Sequence, residues 1–139
     1  MSCLFCEIAA GTVPAEIVYE DEHSVAFLDH RPLFPGHVLV APRRHVVTLA
    51  DLAAGDVASF FQTVQRLETA VERAMEADGS FIAINNIVSQ SVPHLHVHIV
   101  PRRRKDGLKG FFWPRAPYRD EAHLKETGEK IRAALSGLK

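Results

Sequence analysis

Residues 94–100 read His94-Leu95-His96-Val97-His98-Ile99-Val100, an alternation of histidines with aliphatic residues. Successive side chains of a β-strand point to opposite faces, so this alternation predicts a strand with three imidazoles on one face. The aliphatic side chains between them then point into a core. A single histidine in such a pattern is usually the polar partner of a half-buried strand. Three in succession favour catalysis or metal binding, because imidazole titrates near neutral pH and ligates metals.

We expect the three rings to have separate roles. Along a strand that rises about 3.3 Å per residue, the outer two histidines lie about 13 Å apart. That separation is too large for all three to bind one zinc ion at about 2.0–2.1 Å. Neutral imidazole is a good nucleophile at phosphorus, and a neighbouring imidazole can orient it or transfer protons. Gln90 and Ser91, just before the strand, can donate hydrogen bonds to a phosphoryl group. The three arginines at residues 102–104, just after the strand, are interpreted as a solvated basic turn.

The surrounding chain predicts an α+β fold. Apolar residues recur at steps of three and four from about Ala54 to Ala77, which is typical of one long amphipathic helix. A short helical turn is expected at Cys6–Ala10 and a C-terminal helix from about Asp120 to Leu135. Short β-type runs predict five strands, at residues 17–20, 24–29, 37–41, 81–85 and 94–100. Since the strand pairs lack helical crossovers, we expect a mostly antiparallel sheet.

Length and charge narrow the class of protein. The 139 residues, 47% of them hydrophobic, are predicted to form one domain, residues 1–139, with its own core. The formal net charge of -1 gives no support to binding of nucleic acid or an anionic membrane. No apolar run approaches the roughly 18 residues of a membrane span, and the N-terminus lacks the pattern of a signal peptide. A cytoplasmic protein is therefore the expectation.

The two cysteines, Cys3 and Cys6, have the C-x-x-C spacing of half a metal site or of a redox pair. A redox motif of the thioredoxin kind follows a strand, and too little chain precedes Cys3 to form one. We therefore favour half a zinc site, which needs two further ligands.

Three segments resemble the histidine triad (HIT) family. They are residues 90–102 (QSVPHLHVHIVPR), residues 27–45 (FLDHRPLFPGHVLVAPRRH) and residues 3–8 (CLFCEI), in the order that the family has. The resemblance implies a HIT-like α+β domain with a five-stranded antiparallel sheet, assembled as a two-fold homodimer. It also implies nucleotidyl transfer or hydrolysis, in which AMP or another nucleoside monophosphate is released from a phosphoramidate or a dinucleoside polyphosphate.

The resemblance assigns roles to individual residues. His96 matches the nucleophile that attacks the α-phosphate and forms a transient nucleotidyl-histidine. The sequence departs from the commoner family pattern at residues 86–89, where the loop before Gln90 is short and lacks glycine. The other catalytic positions match His98, His37 and Ser91. The positions that bind a purine nucleotide match Asp29 at the ribose hydroxyls, Asn85 near the ribose, Gln90 at the phosphate, and Phe5 and Phe27 around the base.

A structural zinc ion is implied in the same way. Zinc-binding members of the family, and the related galactose-1-phosphate uridylyltransferases, resemble this chain at four ligand positions. Those positions are Cys3, Cys6, His45 and His94, a set of two thiolates and two imidazoles that suits tetrahedral zinc. The alternative is a pair of buried thiols, with His94 hydrogen-bonded to backbone.

Other readings stay open. Nucleotidyl transfer to an acceptor is ranked lower because the strand lacks the His-Pro-His-Gly-Gln pattern of the uridylyltransferases. A deadenylase of the aprataxin type is expected to carry further basic elements, which the net charge of -1 does not support. A nucleotide-binding adaptor with incidental catalysis is the rival from another class.

The aromatic segment Gly110–Arg115 predicts an interface or a ligand lid. In that hypothesis Trp113 reaches the active site of a partner, and the alternative is that it covers the sheet.

Overall fold

The computed structural model describes residues 2–108 and 115–138. The chain divides into two compact units, residues 1–106 and 107–139. The predicted single-domain organisation and the two-fold dimer stay predictions. In chain order the elements are α1 (Leu4–Ala9), β1 (Ile17–Glu20), β2 (Ser24–Leu28), β3 (Val38–Pro42), a 3-10 helix (Leu49–Asp51), α2 (Ala54–Ala74), β4 (Gly79–Ala83), β5 (Val97–Arg102) and α3 (Glu121–Ser136).

The five strands of the first unit form one sheet in the order β1-β2-β3-β5-β4, and every neighbouring pair is antiparallel. This confirms the predicted α+β fold with a five-stranded antiparallel sheet. Strand β5 lies inside the sheet, where His98 is opposite Leu39 of β3 and Ala83 of β4. Backbone pairing on both sides therefore fixes the position of this histidine.

The aliphatic residues of the alternation pack against α2. Leu95, Val97 and Ile99 are fully buried and belong to one core cluster. The apolar stripe of α2 covers that cluster, as its spacing of three and four predicts. The α2 residues concerned are Phe60, Val64, Leu67 and Val71.

The other face of the sheet is covered by α1. Phe5 and Ile8 pack there against Val25, Phe27 and Leu39. Because side chains alternate along a strand, His98, which lies opposite Leu39, is on the α1 face. The functional candidates therefore lie between the sheet and the N-terminal helix.

The predicted strand 94–100 is wrong at its start. Strand β5 begins at Val97, so His94 and His96 precede it. The reason is that β3 pairs with β5 only as far as Val97, and before that point the backbone N–H of Leu95 donates to the carbonyl of Val46, outside any strand, at 2.7 Å. The alternation of sides persists, since Leu95 enters the α2 core while both histidine rings contact Phe5 of α1.

The second unit contains α3. The Asp120 carboxylate accepts a hydrogen bond from the backbone N–H of His123 at 2.7 Å and caps the helix. The bounds of α3 agree with the predicted C-terminal helix to within one residue at each end. Of the Gly110–Arg115 segment only Arg115 is described, so the hypothesis for Trp113 lies outside the described residues. None of the helices in the described ranges combines the length and apolarity needed to cross a bilayer.

Candidate active site and metal site

A cavity of about 730 Å³ opens between the sheet and α1. Its apolar lining includes Phe5 and Phe27, whose rings pack edge to face with centroids 5.2 Å apart. Its polar lining includes Asp29, Ser91, His96 and His98. A lining that combines aromatic and polar side chains suits a ligand that has both an apolar ring system and charged oxygens.

His96 is oriented by the backbone of its neighbour. The ring is 3% exposed, and its Nδ1–H donates to the carbonyl oxygen of His94 at 2.7 Å. Because Nδ1 carries the proton, Nε2 of the neutral ring has a free lone pair. Burial lowers the pKa of His96, which keeps the ring in this neutral, nucleophilic form. Phe5 holds the ring from the side, edge to face, at a centroid distance of 4.9 Å.

His98 and His37 form a hydrogen-bonded pair. Nε2 of His37 lies 2.9 Å from Nδ1 of His98, and the Leu33 backbone N–H donates to the other nitrogen of His37 at 3.1 Å. Burial, together with the nearby His96 and His37, lowers the pKa of His98 to about 4. Burial also lowers the pKa of His37, against the opposing effect of Asp29. Both rings are therefore neutral at neutral pH.

Asp29, which lines the cavity, is held in place by two backbone hydrogen bonds. Its Oδ1 accepts a hydrogen bond from the Arg31 N–H at 2.9 Å, and its own N–H donates to the carbonyl of His37 at 2.9 Å. Oδ2 lies 3.8 Å from Nδ1 of His37. A carboxylate can accept from both hydroxyls of a cis-diol, so this residue suits a ribose.

Cys3, Cys6, His45 and His94 converge on one point, with their ligand atoms within 4.8 Å of one another. The His94 Nδ1 atom lies 3.4 Å from Sγ of Cys3, 3.5 Å from Sγ of Cys6 and 3.2 Å from Nδ1 of His45. For tetrahedral zinc with bonds of about 2.3 Å to sulfur and about 2.05 Å to nitrogen, the ligand atoms lie about 3.5 Å (S to N) and about 3.3 Å (N to N) apart. The cluster thus has the dimensions of a zinc site.

The backbone selects the nitrogen of His94 that faces the cluster. Nε2–H donates to the carbonyl of Pro42 at 2.7 Å, which leaves Nδ1 as the lone-pair nitrogen. Burial, reinforced by Cys3, raises the pKa of Cys6, so a metal ion has to displace a proton to bind that thiol. The donor set and its dimensions could hold zinc, and the His94 carbonyl connects this cluster to His96.

The loop before the histidines is held by Gln90. Its Nε2 donates to the carbonyl of Val47 at 2.6 Å, and its Oε1 accepts from the N–H of Ile87 at 3.0 Å. The side chain that the sequence assigned to phosphate therefore fixes the loop. Among the described residues, the cavity lining includes Ser91 but not Gln90, Asn85 or His37.

Several groups that organise the site were missed from the sequence. The Leu33 N–H and the carbonyls of Pro42 and His94 set the orientation of three histidines, but any residue type supplies such backbone groups. Arg43 was also missed: its guanidinium donates to the carbonyl of Ala9 at 2.7 Å and ties the end of α1 to the sheet. A basic pair after a strand carries no signal for that contact.

Comparison with known proteins places these features in a family. The HIT domain model matches residues 10–105. An uncharacterized HIT-like protein of Mycobacterium tuberculosis is 40% identical over 141 residues, which cover 98% of this chain and 94% of that protein. The adenosine 5'-monophosphoramidase of Schizosaccharomyces pombe is 33% identical, with 97% and 99% covered. The asymmetrical bis(5'-nucleosyl)-tetraphosphatase of the same yeast is 38% identical over 96 residues, 68% of this chain and 53% of that one.

Solved structures show the same fold. A protein of Streptococcus mutans matches with a TM-score of 0.87 at 37% identity, covering 96% of this chain and 85% of that one. A zinc-bound histidine triad family protein of Mycobacterium smegmatis matches with a TM-score of 0.73 at 40% identity, covering 96% and 98%. The second of these is described as binding the metal that the cysteine and histidine cluster of this chain fits.

Proposed function

The chain belongs to the HIT domain family, and from that premise we propose that it is a hydrolase that releases a nucleoside monophosphate from a phosphate-linked conjugate through a nucleotidyl-histidine on His96. One observation carries the proposal. The buried ring of His96 lines the cavity, and the His94 carbonyl engages its Nδ1, so that the lone pair is on Nε2. His98 lies beside it, with ring centroids 5.0 Å apart.

In the first step, the Nε2 lone pair of His96 attacks the α-phosphorus. An N–P bond forms as the bond from phosphorus to the departing amine or phosphate breaks, and the departing group leaves with the electron pair and takes a proton from solvent. Positive charge develops on the imidazole, and the His94 carbonyl that accepts from Nδ1–H at 2.7 Å stabilises it. The step thus needs a neutral ring at the start, which the lowered pKa of His96 supplies.

In the second step, a water oxygen attacks the same phosphorus. The N–P bond breaks, its electron pair returns to Nε2 of His96, and a proton of the water is released. Ser91 and His98 line the same cavity as His96 and are the groups that would donate hydrogen bonds to the phosphoryl oxygens. His37 acts through His98, which it contacts at 2.9 Å.

We propose a purine nucleotide as the part that is retained. Its base lies against the cavity wall that Phe5 and Phe27 form together, and its ribose hydroxyls donate to Asp29. The names of two relatives, an adenosine 5'-monophosphoramidase and a bis(5'-nucleosyl)-tetraphosphatase, support phosphoramidates and dinucleoside polyphosphates as the two substrate classes. The leaving group distinguishes these classes, and AMP is the common product.

We also propose that Cys3, Cys6, His45 and His94 hold a structural zinc ion. Its contribution is to crosslink the N-terminal helix to the segment that carries His96, with no part in the bond changes. His94 connects the two sites because its ring faces the cluster while its carbonyl orients His96.

The experiment that tests the proposal is AMP release from adenosine phosphoramidate and from diadenosine polyphosphates. His96→Gly is expected to abolish release and keep AMP binding. His23→Gly, a change in the exposed turn between β1 and β2, is the matched control and is expected to keep both. Full activity of His96→Gly would exclude the mechanism.

Two rival functions give different results in the same assay. A nucleotidyltransferase shows release that depends on an added acceptor such as a sugar phosphate. A nucleotide-binding adaptor binds AMP and releases none from either substrate. Either result from the unmodified protein would replace the hydrolase proposal.

A further inference from the structure

A backbone amide next to His37 determines which nitrogen of that ring carries the proton. The N–H of Leu33 donates to Nδ1 of His37 at 3.1 Å. A backbone N–H is a donor at every pH, so Nδ1 has to be the acceptor. The proton of the neutral His37 ring is therefore on Nε2.

The position of the proton on His37 also determines the tautomer of His98. Nε2 of His37 lies 2.9 Å from Nδ1 of His98, and since Nε2 carries the proton, Nδ1 of His98 is the acceptor. The proton of His98 is then on its Nε2. That nitrogen lies on the far side of the ring from His37, and the ring lines the cavity, so Nε2–H is the group that His98 offers to a ligand.

The Asp29 carboxylate favours the opposite direction of the hydrogen bond, from His98 to His37. Oδ2 of Asp29 lies 3.8 Å from Nδ1 of His37 and attracts a proton to that nitrogen. With the proton on Nδ1, His37 would accept from His98, and Nε2 of His98 would present a lone pair to the cavity. A lone pair repels phosphate oxygens, whereas an N–H binds them. The Leu33 N–H excludes this direction, because two donors cannot face each other.

We propose that the Leu33 backbone N–H is a positioning group that makes His98 a hydrogen-bond donor at Nε2. The result is a pair of neighbouring imidazoles in opposite tautomers: His96 offers a lone pair to phosphorus and His98 offers an N–H to the phosphoryl oxygens. This inference rests on the proposed function for its consequence in catalysis. The tautomers themselves are independent of it.

The loop that carries Leu33 is shaped to hold this amide. Pro32 and Pro35 fix the backbone on either side, and the His37 N–H donates to the carbonyl of Phe34 at 3.1 Å. Gly36 adopts φ +98°, and a Cβ there would lie 2.6 Å from Cγ of Met75. The side chain of Leu33 is 48% exposed, so the amide can be tested with little disturbance of packing.

The first test is two-bond ¹H–¹⁵N NMR of the imidazoles in the full chain at neutral pH, which separates protonated from unprotonated ring nitrogens. We expect the proton on Nε2 in His37 and His98 and on Nδ1 in His96. A proton on Nδ1 of His98 in the unmodified protein would overturn the inference, whatever the enzyme does.

The second test compares Leu33→Pro, which removes the N–H, with Leu33→Ala, which removes only the side chain. We expect kcat/KM for AMP release to fall roughly ten- to a hundredfold in Leu33→Pro relative to Leu33→Ala, the range for a hydrogen bond to a charged group. AMP binding falls with it, while adenosine, which has no phosphate, binds both variants equally. Equal kcat/KM values and unchanged imidazole tautomers in the two variants would refute the role.

A second proline beside Pro32 restricts the backbone, so an ester in place of the Leu33 amide provides a second variant that keeps the side chain. If Leu33→Pro loses the NMR dispersion of a folded chain, the ester variant is the one that tests the role of the Leu33 N–H. Failure of the proposed function gives a different pattern: no AMP release from the unmodified protein, with the tautomers and the AMP and adenosine affinities still measurable in every variant.

Discussion

Replacing Cys6 by Ser is expected to remove a zinc ion and the stability that it confers. The Cys6 Sγ lies 3.4 Å from Nδ1 of His45 and 3.5 Å from Nδ1 of His94, close to the separations of about 3.5 Å that tetrahedral zinc imposes. Serine oxygen is a poor substitute for a thiolate at zinc. The unmodified protein should therefore hold one zinc ion per chain and Cys6→Ser much less.

The stabilisation follows from mass action. Free zinc at a hundred times its dissociation constant adds about 2.7 kcal/mol to the free energy of unfolding. For a chain of 139 residues, the entropy of unfolding of about 2.1 cal/mol/K per residue amounts to roughly 0.29 kcal/mol/K. Dividing the first quantity by the second gives a rise in Tm of about 9 °C, which Cys6→Ser should not show.

The assay is metal content by mass spectrometry together with Tm by calorimetry, with and without zinc, on the metal-stripped protein. His23→Ala is the control, since this histidine lies outside the cluster. The result that would refute the reasoning is a zinc-dependent rise in Tm that is as large in Cys6→Ser as in the control. Zinc binding at the unmodified cluster with no rise in Tm would refute the structural role.

Three further predictions concern the active site and its loop. The pKa of His98 is about 4 in the folded chain and about 6.5 in the unfolded chain, so the unfolded chain takes up the proton first as the pH falls. The free energy of unfolding should therefore fall between about pH 6.5 and 4, and it should fall less steeply in His98→Asn. Urea unfolding at several pH values measures both. Asp29→Asn should reduce the preference for ribo- over 2'-deoxyribonucleotide substrates roughly tenfold or more, and an unchanged ratio of kcat/KM values would argue against a ribose contact. Gln90→Ala should destabilise the chain by about 0.5–1.5 kcal/mol, the range for a hydrogen bond that is not fully buried. Gln90→Glu should destabilise it by no less, because a carboxylate oxygen then faces the Val47 carbonyl, and chemical denaturation tests this order.

The fold could be predicted where the sequence is periodic. The apolar stripe of α2 and the aliphatic positions between the histidines identify the core, and the structure places Leu95, Val97 and Ile99 there. The start of β5 could not be predicted, because side-chain alternation continues through His94 and His96 although the backbone pairing does not. Periodicity reports which side of the chain is buried, and hydrogen bonding defines the strand.

The candidate site could be predicted to the extent that side-chain chemistry marks it. The structure brings Asp29, Ser91, His96 and His98 to one cavity, and it brings Cys3, Cys6, His45 and His94 to a second cluster. What the sequence could not supply are the backbone partners. The amide of Leu33 and the carbonyls of Pro42 and His94 select a ring nitrogen in each of three histidines, and their positions depend on the folded chain.

The central claim, that His96 carries the nucleotide, is tested most directly by trapping the intermediate. The full chain is mixed with adenosine phosphoramidate, quenched within one turnover at high pH, where phosphorus–nitrogen bonds to histidine survive, and digested for mass spectrometry. We predict an adenylyl group on His96, absent from His96→Gly and lost when the mixture is left to turn over. An adenylyl group on another residue, or AMP release that persists in His96→Gly, would contradict the account.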